Sequence, residues 1–449
     1  MIRPRALWVS IRSSLWFVPV VMVVSAMLAA IGLVEVDKHF RMDWSDDYPL
    51  LFGAGAEGSR GMLSTIAGSM ITVAGITFSL TIAALATASA QYTSRVLRNF
   101  MRDGRNQFVL GAFLGIFAYC LVVLRTIRSD VEASFVPSLA VFAGLLLALL
   151  GIAVLVFFIH HIATSIQAAT IIEAITAETI AALQRGLPAQ RDDAFAADRS
   201  DVPPSWSEEP AAQVIHARSR GYVQVIDSKR LLDIATRADI RIRVEVPPGG
   251  FVMHGTPLLS VFCIATVEDA TRADLGNAVA IHSFRTIDQE FGFGIRQLVD
   301  IALKAISPGI NDTTTAVMCV DHLGAILAML AQRSLPGSLA ADDGQVRLML
   351  QGASFPSLLA TAFDEVRREA GRNVAVVVRL LDALTAIAAH TRDPARTAAL
   401  LEHAWLVRDV ADRSLDVPHD RQIALAALLR LQAALACSHL EIALTPARG

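Results

Sequence analysis

The sequence predicts an α-helical membrane domain with four transmembrane helices, followed by a cytoplasmic α+β domain that combines a small β unit with a helical bundle. Three observations carry this. Hydrophobic residues make up 54% of the chain and the mean hydropathy is +0.50, with the excess concentrated in the first third. Residues after Ile240 alternate apolar and polar with period two. From about residue 342 onward apolar residues recur at i, i+3, i+4 and i+7.

Arg3, Arg5 and Arg12 precede the apolar run Leu15 to Val34. That run is near the length of a membrane span and lacks a clean small-residue cleavage site, so it reads as an uncleaved first span. Glu35 to Gly61 carries acidic residues among Phe40, Trp44, Tyr48 and Phe52, the pattern of a solvated loop with interfacial anchors. The second span, Met62 to Ala88, is uncharged yet crowded with small and hydroxyl side chains. Ser64, Gly68, Thr72, Gly75, Ser79, Ala83 and Thr87 fall on one helical stripe, and the first five are pore-lining candidates. Close packing through small-xxx-small pairs and lining of a wet path both account for that stripe. Ile76 and Ile82 at its edges suit a dewetting gate.

Arg95, Arg98, Arg102 and Arg105 precede the third run, Phe108 to Leu124, and Val136 to Ile159 is the fourth. Four spans and the positive-inside rule put both termini in the cytoplasm. No charge lies at the centre of a span, which argues against a proton-coupled transporter or a voltage sensor. Beyond His160 and His161, for which an interfacial or capping role is expected, helical spacing continues to Gly186. This predicts a helix running straight out of the bilayer with an apolar stripe that needs a partner, cheapest as the same helix of another subunit. A homo-oligomer is therefore expected.

The domain reading is 1–160 for the four-span domain, 161–187 for the helical extension and 188–211 for a charged, proline-bearing linker. Residues 212–266 form the small β domain, 267–335 a helical hairpin with an SPGIND turn, and 342–449 a C-terminal helical bundle. Val267 to Ala280 reads as helical. VPPGGFVMHGTPLLSV resembles the turn of small barrel-sandwich domains, but no lysine occupies it to carry a lipoyl or biotin group. Arg285, Asp288, Glu290, Arg296, Asp300, Asn311, Asp312 and Asp321 concentrate polar groups around SPGIND. Of these, Arg285, Asp288, Arg296, Asp300, Asn311 and Asp312 are regulatory or ligand candidates for a small ligand or ion at the cytoplasmic domain. Capping by Asp312 and Arg–Asp ion pairing explain the same residues.

The net charge of -3 and a pI near 6.4 give no field for nucleic acid. Cys120, Cys263, Cys319 and Cys437 lack any CxxC spacing, so neither a disulfide framework nor a metal site is expected. There is no GxxxxGK[ST], HExxH or GxSxG, which makes an enzyme the weaker class, and no cofactor is expected. The expectation is an ion or small-solute channel with a cytoplasmic regulatory domain. Its alternative is a non-conducting, membrane-anchored sensor or scaffold.

RTIDQEFGFGIRQLVDIALKAISPGINDTTTA, with the four spans and GGFVMHGTPLLSV, resembles the bacterial predicted membrane proteins of domain of unknown function 2254 across nearly the whole chain. The resemblance implies a bacterial cytoplasmic (inner) membrane location and carries no activity or site residues. Thr313 stands where a proline often follows the Asp in that family.

Overall fold

The computed structural model describes residues 16–40, 55–91, 104–127, 135–187, 212–263, 267–335, 338–340 and 345–444. The N-terminal arginines, the loop through residues 41–54, most of the Arg95 to Arg105 segment and the linker at 188–211 lie outside the described residues. The chain forms two compact units, 1–170 and 171–449.

The first unit contains α1 (Phe17–Phe40), α2 (Ala56–Gln91), α3 (Gly104–Thr126) and α4 (Ser138–Ser165). Helix α3 is central and packs against the other three, burying Phe113, Ile116, Tyr119, Cys120 and Val123 among Ala30, Leu63, Met70 and Phe158. Glycines let the backbones approach. A Cβ on Gly111 would meet Met22 and Pro19, one on Gly144 would meet Leu63, and one on Gly151 would meet Met70. Helix ends are satisfied from neighbouring helices, as an apolar setting demands. Asp37 accepts the N–H groups of Leu139 (3.3 Å) and Ala140 (3.0 Å) at the start of α4, and Arg60 donates to Ile127 O at 2.7 Å just past the end of α3. Helix α2 begins at Ala56, well before the expected Met62, and its 36 residues extend about 54 Å.

The expected straight exit from the fourth span is corrected. The helix breaks at Ile166–Gln167, and α5 (Ala168–Gly186) starts anew. Hydroxyls supply the reason: Thr164 donates back to His160 O and His161 O, and Ser165 to Ile162 O, diverting carbonyls of the last turn.

In the second unit two sheets and a helical bundle follow α5. One sheet has the order β1 (Gln213–His216), β5 (Pro257–Phe262), β3 (Arg241–Val244), β8 (Val346–Met349), β7 (Ser338–Ala340), antiparallel except for β3–β8. The other has the order β4 (Phe251–Val252), β2 (Gly221–Ile226), β6 (Val279–His282). Helices α6 (Ser228–Ala238) and α7 (Asp269–Asn277) cover a core of Val223, Leu231, Ile242, Leu259, Val261, Leu275 and Leu348. Two expectations fall here. Val279 to His282 is a strand rather than the end of a helix, because it pairs along β2. Val346 to Met349 is likewise a strand, taken into the sheet beside β3.

The bundle comprises α8 (Phe291–Ile306), α9 (Thr313–Leu330), α10 (Phe355–Glu369), α11 (Val374–Ala388), α12 (Pro394–Ser414) and α13 (Pro418–Leu444). Helices α8 and α9 form a hairpin that packs directly onto α10 and α11. Among the described residues, five helices are long and apolar enough to cross a membrane: α1 to α4, and α9.

Candidate functional site

Helix α2 has two dissimilar faces. Leu63, Ala67, Met70, Ala74, Thr77 and Ala84 are buried, and the helix packs on α3 and α4. The stripe of Ser64, Gly68, Thr72, Gly75, Ser79, Ala83 and Thr87 is exposed along its whole length. A Cβ added at Gly68 or Gly75 would meet nothing within 4 Å. Among the described residues the helices therefore leave the small, hydroxyl-rich face uncovered, and their packing does not account for it. Large side chains flank it, with Ile76 60%, Phe78 54% and Ile82 48% exposed. The hydroxyls are partly committed: Thr72 donates to Gly68 O at 2.8 Å and Thr87 to Ala83 O at 3.0 Å.

The polar residues around SPGIND do not form one site. Helix α8 spans about 24 Å and holds them apart. Before its N-terminus, Arg285 binds Glu290 through two contacts, Nε to Oε2 at 2.9 Å and Nη2 to Oε1, and lies 4.9 Å over the Phe293 ring. Burial holds the Glu290 carboxyl above its usual range although Arg285 opposes this. That carboxylate lies against Gly249, at φ +87, where an added Cβ would collide with it. The PPGG turn is thus locked to the segment preceding α8. Asp288 is exposed.

On α8 itself, Arg296 donates to Asp300 Oδ1 at 2.9 Å and to both carboxylate oxygens of Glu365 on α10, one of them at 3.0 Å. The hydrogen bonds from Arg296 hold Glu365 below the usual carboxylate range. Beyond the C-terminus of α8, Asn311 adopts φ +52, and Asp312 caps α9 by accepting from Thr315 N–H (3.0 Å) and Thr315 Oγ1–H (2.5 Å). Those bonds hold its carboxyl below the ordinary value. Asp312 N–H donates to Ala305 O at 2.8 Å, closing the hairpin. Asp321 pairs with Arg379 on α11. Among the described residues no group of three or more His, Cys, Asp or Glu is arranged to hold a metal ion. Glu365 and Arg379, distant in sequence, carried no local signal of these pairings.

The stripe of α5 has its partner in its own chain, which overturns the reason given for another subunit there. Ile171, Ile172, Ile175, Thr176, Thr179, Ala182 and Leu183 are buried. His322 Nδ1 lies 3.0 Å from Thr176 Oγ1, a Cβ on Gly186 would stand 3.1 Å from Phe291, and Ala182 clusters with Ile287 and Phe293. Arg333 donates to Leu187 O at 2.9 Å. At the end of α4, His161 is buried and stacks on Phe157, and His160 is exposed.

The chain is 32% identical over 439 residues to Uncharacterized protein Mb1321c of Mycobacterium bovis, covering 95% of this chain and 82% of the relative, and equally to Uncharacterized protein Rv1290c of Mycobacterium tuberculosis. No solved structure matches. The profile of the predicted membrane proteins of domain of unknown function 2254 matches residues 12–386, and the chain belongs to that family.

Proposed function

We propose that this is an oligomeric, multi-pass protein of the bacterial inner membrane in which α2 helices from several copies surround a path for ions or small solutes. The β unit and helical bundle control that path from the cytoplasm. The observation that carries the reading is the uncharged face of α2, exposed from Ser64 to Thr87 while the opposite face is committed to α3 and α4. Small residues at such a face permit close approach of copies about an axis, and hydroxyls can wet it.

In this reading α1 to α4 span the bilayer and α9 does not. Helix α9 carries Asp321, paired with Arg379, in its middle, and packs on α8 and α11. The carbonyls just past its end are held by the buried Arg396, which donates to Ala331 O at 2.9 Å and to Arg333 O at 3.1 Å. These are the contacts of a bundle helix in water-soluble surroundings. With four spans, the positive-inside rule applied to Arg95, Arg98, Arg102 and the N-terminal arginines supports a topology in which both termini are cytoplasmic.

A second reading, a non-conducting sensor or scaffold, is favoured by one observation. The Thr65, Thr72 and Thr87 hydroxyls already donate to carbonyls of their own helix, so the face is tolerable against lipid or another helix without water. Planar-bilayer recordings decide between them. The conduit gives currents that Thr72→Leu or Ser79→Leu changes; silence under varied tension, voltage and ions refutes it.

A further inference from the structure

Three segments distant in sequence meet at one end of the small β unit. Gly221 of β2 stands opposite Val252 of β4, and Tyr222 lies between Phe251 and His282 of β6. The preceding loop is tied in as well: Ala217 N–H donates to Thr256 O at 2.8 Å and Gly255 N–H to Ala217 O at 2.9 Å. The turn at this tip is rigid. Met253 N–H donates to Thr256 Oγ1 at 3.0 Å, Thr256 N–H returns to Met253 O at 3.0 Å, and Gly255 takes φ +86.

The side chains presented there are unusual for a solvated turn. Met253 is 67% and Phe251 57% exposed, with Tyr222 edge-on to Phe251 at 5.1 Å. Around them stand Arg218, Arg220, His216, His254 and His282, all exposed. None of the segments 216–222, 251–256 and 279–284 contains Asp or Glu. Glu290, behind the adjoining PPGG turn, is engaged by Arg285.

We infer that this end of the β unit docks on an anionic phospholipid surface, with Met253 and Phe251 entering the headgroup region and Arg218 and Arg220 at the phosphates. Apolar side chains on a rigid turn, in segments that carry two exposed arginines and no carboxylate, match the apolar depth and negative charge of such a surface together. Each arginine near an anionic leaflet is worth about fivefold in association, so the pair gives about thirtyfold. In a membrane-protein family the bilayer is present at high effective concentration, which lets so modest an affinity suffice. This is independent of whether α2 lines a conducting axis.

The test uses the full chain in nanodiscs of phosphatidylcholine alone or with about a third phosphatidylglycerol. A nitroxide is placed on Met253→Cys, with Cys263 and Cys437 replaced by Ser; Cys120 and Cys319 are buried. In anionic discs the label gains accessibility to oxygen over a water-soluble nickel chelate. Arg218→Glu with Arg220→Glu reduces the ratio of inserted to free label by at least about thirtyfold, whereas Arg237→Glu, outside these segments on α6, leaves it unchanged. A label that stays in water in both lipids, or an anionic response that survives the double reversal, overturns the inference.

Discussion

The packing of α5 against α8 turns on Gly294, and a double-mutant cycle there has a change of sign built into it. A Cβ at Gly294 would collide with Thr179 Oγ1 and lie 3.0 Å from both Thr179 Cβ and Cγ2. Thr179 has little room to yield, since it is β-branched, fully buried and donates to Ile175 O at 2.7 Å. Gly294→Ala gains about 1 kcal/mol of helix propensity and loses about 1–3 kcal/mol to overpacking, a net cost of up to about 2 kcal/mol. In a Thr179→Ala background Oγ1 and Cγ2 are gone, and the remaining 3.0 Å contact with the Cβ at position 179 is relieved by a shift of a few tenths of an ångström. There Gly294→Ala stabilises by up to about 1 kcal/mol. Thermal unfolding of the purified chain, followed through the transition of the second unit, reads both signs; about 1 kcal/mol corresponds to about 2–4 °C for a unit of this size. If Gly294→Ala costs the same in both backgrounds, α5 is not seated against α8 through Thr179, and its apolar stripe again needs a partner elsewhere.

Two further expectations concern titratable groups. Asp312→Ala removes the cap of α9 and destabilises by about 1 kcal/mol, whereas Asp312→Asn retains an acceptor and costs less. Because the Asp312 carboxyl is held below its ordinary value of 3.8 by the Thr315 bonds, its contribution is present above that pH and is lost as pH falls through the lower folded value. The asparagine variant therefore shows a flatter acid limb in pH-dependent unfolding. His403 on α12 is buried and its pKa is held below 6.5, with desolvation outweighing Asp364 at 3.7 Å and Glu402, and Arg367 adding to the depression. A depressed histidine binds its proton more readily unfolded, so bundle stability is full above 6.5 and declines below it, by at most about 1.4 kcal/mol per pH unit for one proton. His403→Gln removes that slope between pH 6.5 and 5.5; an unchanged slope contradicts the assignment.

The four long apolar helices of the first unit were legible because long uncharged runs leave few alternatives, and the β unit because GYVQVID and IRIRVEV alternate with period two. Helical periodicity also identified the small-residue stripe of α2. It did not say which face packs, since Ala67 and Ala74 on the buried side are as small as Gly68 and Gly75 on the exposed one. The strand at Val346–Met349 was illegible for a physical reason. It is only four residues long, and it is extended because β3, about a hundred positions earlier, offers it a ladder. The polar residues around SPGIND looked like one cluster because they are close in sequence, yet α8 separates them and Glu365 and Arg379 complete the pairs from other helices. The apolar stripe of α5 did predict a covering surface. That the surface comes from α8 and α9 of the same chain depends on a hairpin more than a hundred residues away.

The central claim is that the exposed face of α2 meets the same face of other copies. Single cysteines along α2, introduced into a chain free of its native cysteines and oxidised in membranes, test it most directly. Ser64→Cys, Gly68→Cys, Thr72→Cys, Gly75→Cys and Ser79→Cys are predicted to form disulfide-linked dimers. Ala67→Cys and Ala74→Cys, on the face buried within the chain, are predicted not to. Cross-linking without that periodicity, or none at any stripe position, would contradict a shared axis.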